Sequence, residues 1–151
     1  MPAARQMVVF LCADNSVRSQ MGEMLLRHRA GGRVEVTSAG LSPKPVHPLV
    51  REVLGEIGVD AKSPSSRSIG TILGKQTVRY AVILRDPDET DAPRIFPFAT
   101  RTLRWNVGDP VSSDATEEQE RERFRSVRDE IDARVRTLVD EITEQRPSSA
   151  A

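Results

Sequence analysis

The residues of this chain that are best suited to chemistry lie close together near its start. Cys12 is the only cysteine, and five residues separate it from Arg18, which Ser19 follows directly. A cysteine thiolate is a nucleophile, and a guanidinium presents a planar fork that fits two oxygens of an anion. The hydroxyl of Ser19 can donate a hydrogen bond to the thiolate. The spacing therefore predicts a nucleophile placed beside a bound oxyanion.

The flanking segments predict where this group lies in the fold. Residues 7–11 form a continuous apolar run, typical of a strand covered on both faces, and residues 18–29 have helical spacing. Sites in open parallel sheets form at the carboxyl ends of strands. Inward-turned N–H groups and a helix N-terminus lower a thiol pKa and attract an anion. We therefore predict a lowered pKa for Cys12 and an oxyanion bound by Ala13, Asp14, Asn15, Ser16, Val17 and Arg18; residues 12–18 are called the anion loop below.

Two residues of the anion loop raise separate expectations. Asn15 tolerates a left-handed backbone and is expected to hold the shape of the loop. Asp14 should repel an anion unless it points outward, and one hypothesis is that it disfavours dianions and slows turnover. In the alternative interpretation, Cys12 is a buried small hydrophobe and Arg18 a surface charge. The preceding strand, the spacing and the following helix together favour the oxyanion site.

The rest of the chain alternates between strands and helices. The patterns predict strands at 34–37, 80–84 and 100–107 and helices at 48–57, 69–73 and 117–142. Such alternation forms βαβ units with right-handed crossovers. We therefore predict an α/β fold of three layers, with a four-stranded parallel sheet, helices on both faces and the anion loop after the first strand. The 151 residues are expected to form one domain, with residues 1–6 and 146–151 frayed.

Composition narrows the classes of partner. The chain has 22 basic and 22 acidic residues, so bulk charge favours neither nucleic acid nor a membrane surface. Only 4% of residues are aromatic, too few for platforms that stack bases. A single cysteine excludes an internal disulfide and favours a reducing, cytoplasmic compartment. We find no export signal, no membrane-spanning run and no cluster with metal-ligand spacing.

The order of several short motifs resembles a known family. Besides Cys12, Arg18 and Ser19, these are Asn15-Ser16, Ser38-Ala39-Gly40, Asp109-Pro110 and Arg128-Asp129-Glu130-Ile131. Together they resemble the low-molecular-weight protein tyrosine phosphatases and the arsenate reductases that share their fold, over residues 8–142. The resemblance implies a phosphate-binding loop at Cys12 and a general acid at Asp109. Asp109 precedes a proline and is therefore held in an extended loop, although Asp-Pro is also common in plain turns.

The two branches of this family differ in their second step. A phosphatase hydrolyses phosphocysteine with water, whereas a reductase needs a second thiol to release arsenite. The thioredoxin-coupled reductases carry further cysteines, and at the matching positions this chain has Val17, Arg85 and Ala92. A reductase built on this chain therefore needs an external thiol, of the mycothiol or glutathione type, with a glutaredoxin-type partner.

Other features divide between the branches. Gln20, Glu23 and Trp105 resemble the reductases, and residues 111–116 lack the tyrosines that phosphatases place beside the acid. The segment 66–69 looks more like the phosphatases, and its Arg67 puts in doubt the potassium site of some reductases. We favour arsenate reduction, with phosphomonoester hydrolysis as the alternative and a non-catalytic oxyanion-binding module as the third possibility. His47 is a weaker candidate for substrate contact.

Overall fold

The fold is described by a computed structural model that covers residues 6–61, 64–72, 74, 77–90, 93 and 96–144. These residues form four strands and three α-helices, with the third strand followed directly by the fourth, and short 3-10 helices at Gly31–Arg33 and Ile69–Thr71. Their bounds are β1 Gln6–Cys12, α1 Arg18–Ala30, β2 Val34–Gly40, α2 Pro48–Glu56, β3 Val78–Arg85, β4 Ala99–Asn106 and α3 Glu117–Glu144.

The strands form one parallel sheet in the order β2-β1-β3-β4. Strand β1 is central and fully covered, which explains its uninterrupted apolar sequence. Its last residue, Cys12, pairs with Gly40 at the end of β2. The carboxyl ends of β1 and β2 therefore meet at the same edge of the sheet, and this edge holds the anion loop.

Apolar side chains cover both faces of the sheet. All three α-helices pack on one face, where Phe10 and Tyr80 are fully buried. Helix α1 lies so close to β1 that a Cβ added at Gly22 would come within 2.5 Å of the Phe10 ring. The 3-10 helix at residues 69–71, together with Ile72 and Phe96, covers the other face. The predicted α/β fold with a four-stranded parallel sheet is confirmed. Of the helices expected on both faces, the described residues place only a 3-10 helix on the second face.

The predicted element bounds differ from the structure in instructive places. Strand β2 continues three residues past its predicted end at Thr37, because Gly40 pairs with both Cys12 and Ser68. Strand β1 already begins at Gln6, which the sequence places in a frayed segment; residues 1–5 and 145–151 lie outside the described part. Within that part, none of the helices has the length and apolarity that crossing a membrane requires.

Candidate active site

The anion loop joins the end of β1 to the start of α1. Cys12 is the last residue of β1 and Arg18 the first residue of α1. Asn15 has a φ of 55°, the left-handed conformation expected for it. The loop is pressed against Gly40, where an added Cβ would lie 2.7 Å from the Asn15 backbone nitrogen. A side chain at position 40 would therefore displace the loop.

A buried chain of hydrogen bonds connects Cys12 to Ser19, Asn15 and Ser38. The Cys12 Sγ and Ser19 Oγ atoms are 2.8 Å apart. The Asn15 amide nitrogen donates to Ser19 Oγ at 2.7 Å and to Ser38 Oγ at 2.9 Å, which uses both of its hydrogens. The Ser19 oxygen can accept a second hydrogen bond, so either Ser19 or the Cys12 thiol can be the donor between Oγ and Sγ. Once Cys12 is a thiolate, only Ser19 can donate, and the geometry fits that predicted role.

The chain of hydrogen bonds continues away from the thiol to two charged residues. Ser38 Oγ donates to Glu23 Oε1 at 2.7 Å. The Arg67 guanidinium lies 3.8 Å from the same oxygen and donates to the Thr37 hydroxyl, while the Arg67 backbone N–H donates to the Asn15 side chain. A potassium ion beside Glu23 would be repelled by Arg67, so these residues do not fit such an ion.

Burial has a larger effect on the Cys12 thiol than the sequence indicates. Cys12 is only 1% exposed, and loss of hydration raises its pKa above the ordinary value. The Ser19 hydroxyl, the backbone N–H groups of Ser19 and Asn15 and the charge of Arg18 lower the pKa, but not enough to offset burial. The predicted net lowering of the thiol pKa is therefore wrong for the ligand-free protein.

Arg18 is engaged by a carboxylate that the sequence analysis missed. Its two terminal nitrogens donate to the two oxygens of Glu89, with Nη2 at 3.0 Å from Oε2, and Nη1 also donates to the Val107 carbonyl at 3.0 Å. A guanidinium has five N–H donors, so Nε–H and one hydrogen on Nη2 remain beside each other. The guanidinium edge left for an oxyanion is therefore this side edge, and not the terminal fork.

Glu89 occupies this position because of a turn after β3. Its backbone N–H donates to the Asp86 carbonyl at 3.0 Å, and its carboxylate accepts the Asp86 N–H at 2.8 Å. The side chain of Arg85 also donates to the Glu89 carbonyl. Burial alone would raise the pKa of Glu89, but Arg18, the Asp86 N–H and Arg85 lower it below its ordinary value. Sequence reasoning treats residues 85–98 as loop, and only a three-residue spacing typical of turns, Asp86 to Glu89, hints at this contact.

Asp109 lies near Arg18 but on an exposed segment. Its Oδ1 atom accepts the Val111 N–H at 3.0 Å. Burial lowers the pKa of Arg18, whereas Glu89, Cys12 and Asp109 raise it to a net value above the ordinary one. The charge of Asp109 thus acts on Arg18, and its role as proton donor stays a prediction.

The other predicted loop residues have distinct surroundings. The Oδ1 atom of Asp14 accepts the Ser16 N–H at 3.1 Å and the Ser16 hydroxyl at 2.7 Å, so this carboxylate shapes the loop. It also engages one of the N–H groups predicted to bind the anion. The Ala13 carbonyl accepts the Ser42 N–H at 3.0 Å, and Val17 packs into the core.

The structure also describes His47 and some of the positions at which thioredoxin-coupled reductases carry further cysteines. The Nδ1 atom of His47 accepts the Leu49 N–H at 3.1 Å and caps α2, so its first role is structural. Among the described residues, no three or more His, Cys, Asp or Glu side chains form a group that could hold a metal ion. Arg85 lies at the end of β3, and Ala92 falls outside the described residues.

The fold and the site define a class of α/β proteins in which a cysteine and an arginine, separated by five residues, enclose the loop after the first strand. Residues 7–148 match the model of the low molecular weight phosphotyrosine protein phosphatase family, and the chain belongs to that family. The resemblance predicted from the sequence is thus confirmed.

Similar proteins include arsenate reductases. That of Halalkalibacterium halodurans is 31% identical over 90% of this chain and 96% of its own length. A glutaredoxin arsenate reductase of Synechocystis sp. is 30% identical over 90% of this chain and 98% of its own length. A solved arsenate reductase in the phosphate binding state has a TM-score of 0.76 and 28% identity, covering 91% of this chain and 98% of that one.

Proposed function

We propose that this protein is an arsenate reductase in which Cys12 attacks arsenate and an external thiol completes the reduction. The observation on which the proposal rests is the Ser19 hydroxyl 2.8 Å from the Cys12 sulfur, in a loop that ends in Arg18. Similarity over nine-tenths of the chain to arsenate reductases favours this branch of the family.

The first step joins sulfur to arsenic. The Cys12 thiolate attacks the As(V) centre, an As–O bond breaks, and Asp109 protonates the departing oxygen so that it leaves as water. The remaining loop N–H groups and the side edge of Arg18 hold the other oxygens. Because burial raises the pKa of the free thiol, transfer of the Cys12 proton to an oxygen of the incoming arsenate would supply the thiolate.

The second step requires a thiol from outside the chain. Cys12 is the only cysteine, so the second thiolate must belong to another molecule. This incoming thiolate attacks Cys12 Sγ, and the S–As bond breaks. The bonding pair remains on arsenic, which leaves as As(III), and a mixed disulfide forms at Cys12. A second thiol, on a glutaredoxin-type protein, then restores the Cys12 thiol. Mycothiol or glutathione is the proposed donor.

The test is arsenate-dependent NADPH consumption in assays coupled to either thiol, its redoxin and its disulfide reductase. We expect turnover with one of the two systems and none with Cys12→Ser. Trapping of a Cys12 mixed disulfide, detected by mass spectrometry, would identify the donor. Tight arsenate binding with no turnover in either system, and no ester hydrolysis, would instead indicate a module that only binds oxyanions.

Phosphomonoester hydrolysis is the second candidate, favoured by the position of Asp109 near Arg18. General acid catalysis raises a reaction rate by about 100- to 10,000-fold, and the rate depends on it most when the leaving group is poor. We expect Asp109→Asn to slow reactions with poor leaving groups, phenyl phosphate or arsenate itself, by about 100-fold or more. Hydrolysis of p-nitrophenyl phosphate should change less. Equal rates for Asp109→Asn and the original protein on phenyl phosphate and arsenate would remove Asp109 from the proposed mechanism.

A further inference from the structure

The segment that contains Asp109 is fastened to the rest of the site at its first residue. The Val107 N–H donates to the Arg85 carbonyl at 3.1 Å, and the Val107 carbonyl accepts from Arg18. Gly108 and Asp109, which follow, are exposed. The start of the segment is thus tied to β3 and to the anion loop, and something else must fix its other end if Asp109 is to be held in one place.

Glu120, in the first turns of α3, fastens that other end. Its Oε2 atom accepts the Ser112 N–H at 3.3 Å, three residues beyond Asp109. Its Oε1 atom lies 3.6 Å from Nε2 of His47. The Glu120 side chain is 20% exposed and that of His47 27%, so both contacts are partly shielded from water. One carboxylate thus connects the Asp109 segment to the histidine.

His47 in turn is fixed to the anion loop. Its backbone N–H donates to the Ser16 carbonyl at 3.0 Å, and its ring packs 4.7 Å from the ring of Phe124. Since Nδ1 accepts the Leu49 N–H, the ring hydrogen lies on Nε2, the atom that faces Glu120. His47 and Glu120 therefore lie in series between Ser16 and Ser112, and the 3.6 Å approach of His47 Nε2 to Glu120 Oε1 is the longest of these contacts.

We propose that Glu120 is a positioning residue that sets the distance between Asp109 and the anion held by the loop. This inference rests on the proposed role of Asp109 as proton donor. Glu120 acts through the Ser112 backbone and does not touch the reacting atoms. A general acid must lie within hydrogen-bond reach of the atom it protonates, and small displacements of catalytic groups reduce rates steeply.

The proposal predicts a specific pattern of kinetic effects. Glu120→Ala should lower kcat for a substrate with a poor leaving group by about 10-fold, because the Asp109 segment loses one of its two anchors. The KM and the affinity for sulfate should stay within about twofold, because the anion loop keeps its own contacts. Glu120→Gln retains an oxygen that can accept the Ser112 N–H and should restore most of the lost rate.

A double-mutant cycle distinguishes positioning from general damage. If Glu120 acts through Asp109, Glu120→Ala should have no further effect on rate in the Asp109→Asn protein. Glu118→Ala is the matched control, since Glu118 is on the same helix and is exposed beside Arg121 and Arg125; it should leave kcat unchanged. An equal loss of rate from Glu120→Ala in both backgrounds would overturn the proposal.

The outcomes keep this inference separate from the proposed function. If Asp109→Asn leaves rates on phenyl phosphate and arsenate unchanged, the general-acid assignment fails and the inference fails with it. If Asp109→Asn slows them but Glu120→Ala does not, only the inference fails. Hydrogen exchange at the Ser112 amide supplies a readout independent of turnover. Exchange should accelerate in Glu120→Ala and stay unchanged in Glu118→Ala, and unchanged exchange in Glu120→Ala would also overturn the proposal.

Discussion

The anion loop has two sides that are built differently. On its inner side, Asn15, Ser19 and Ser38 are buried and joined by hydrogen bonds of 2.7 to 2.9 Å. On its outer side, Glu89 and Asp109 belong to partly exposed turns that enter from distant parts of the chain. The inner side places the Ser19 hydroxyl within hydrogen-bond distance of the sulfur. The outer side sets the charge that an incoming anion encounters.

This difference indicates how each side responds to substitution. A dense interior, in which Gln20 Oε1 is the one buried side-chain polar atom of the described residues without a hydrogen-bond partner, transmits changes in volume or in donors directly to Cys12, because buried polar groups have no water to replace a lost partner. The outer side is partly solvated, so the removal of one charge there is screened and should alter affinity more gently. The predictions below test this ranking, and a large effect at the outer side would contradict it.

The largest effect is expected from Gly40→Ala. The added Cβ would lie 2.7 Å from the Asn15 nitrogen and 2.8 Å from the Asp14 carbonyl carbon, and backbone atoms cannot move aside easily. Overpacking of this kind destabilises proteins by about 1 to 3 kcal/mol. We expect a loss in that range in denaturant unfolding, together with loss of measurable oxyanion binding.

Gly55→Ala provides the control for that prediction. Gly55 lies in α2, and no atom lies within 4 Å of a Cβ built there. Alanine in a helix is favoured over glycine by about 0.5 to 1 kcal/mol. The two substitutions add the same methyl group, at a crowded position in Gly40→Ala and at an open one in Gly55→Ala. They should therefore change the free energy of unfolding in opposite directions. Equal stability of the Gly40→Ala and original proteins would show that the loop is not pressed against β2.

The next largest effect is expected from Ser19→Ala. A hydrogen bond to a charged group contributes about 1.5 to 3 kcal/mol, so losing the Ser19 donor should reduce kcat/KM about 10- to 100-fold. The pKa of Cys12 is already raised by burial and should rise further. Alkylation by iodoacetamide, which reports on Cys12 alone because the chain has no other thiol, should then accelerate at higher pH than in the original protein.

The sign of this pH effect is fixed by the direction of the shift. A raised pKa means that the folded protein retains the Cys12 proton at a pH where an unfolded chain has lost it. The stability that this group contributes is therefore fully present below the pKa of the unfolded chain, and it is lost as pH rises through the pKa of the folded protein. Ser113→Ala, which removes an exposed hydroxyl, is the control. A thiolate titration that is identical in the Ser19→Ala and original proteins would place the hydroxyl's hydrogen elsewhere.

The two sides also differ in how far the sequence predicts them. Local patterns predict the strand that ends at Cys12, the helix that starts at Arg18 and the left-handed backbone of Asn15, because apolar runs and short motifs determine them. The sequence does not predict the raised pKa of Cys12, since the depth of burial depends on how β2 and α1 close around the loop. Local patterns predict which donors are present, whereas burial decides their net effect.

The other site residues that the sequence does not predict depend on long-range contacts. Glu89 is 71 residues from Arg18, and Glu120 is 73 residues from His47 by number, so no periodicity links either pair. The Arg67 side chain, 44 residues beyond Glu23, reaches it only because residues 64–68 return beside the end of β2. Such contacts depend on the paths of connections between elements, which composition and spacing do not determine.

The smallest effect is expected from Glu89→Gln, on the outer side. The negative charge of Glu89 lies on the terminal edge of Arg18, next to the side edge left for an anion, and partly cancels the attraction of Arg18 for an anion. Glutamine keeps one oxygen that can accept from Arg18 but removes the charge. We expect the dissociation constant for sulfate or arsenate, measured by calorimetry at low salt, to fall about fivefold, and this gain to shrink as salt is added.

Asp88→Asn is the matched control, because it removes the same charge from an exposed position in the same turn. The pKa of Glu89 is lowered, so its charge persists through the neutral range, and the difference between Glu89→Gln and the original protein should disappear only below the ordinary pKa of a glutamate. If Glu89→Gln instead weakens anion binding, Glu89 serves mainly to hold the Arg18 side chain in place. The outer side would then be as demanding of geometry as the inner side, and the contrast between them would fail.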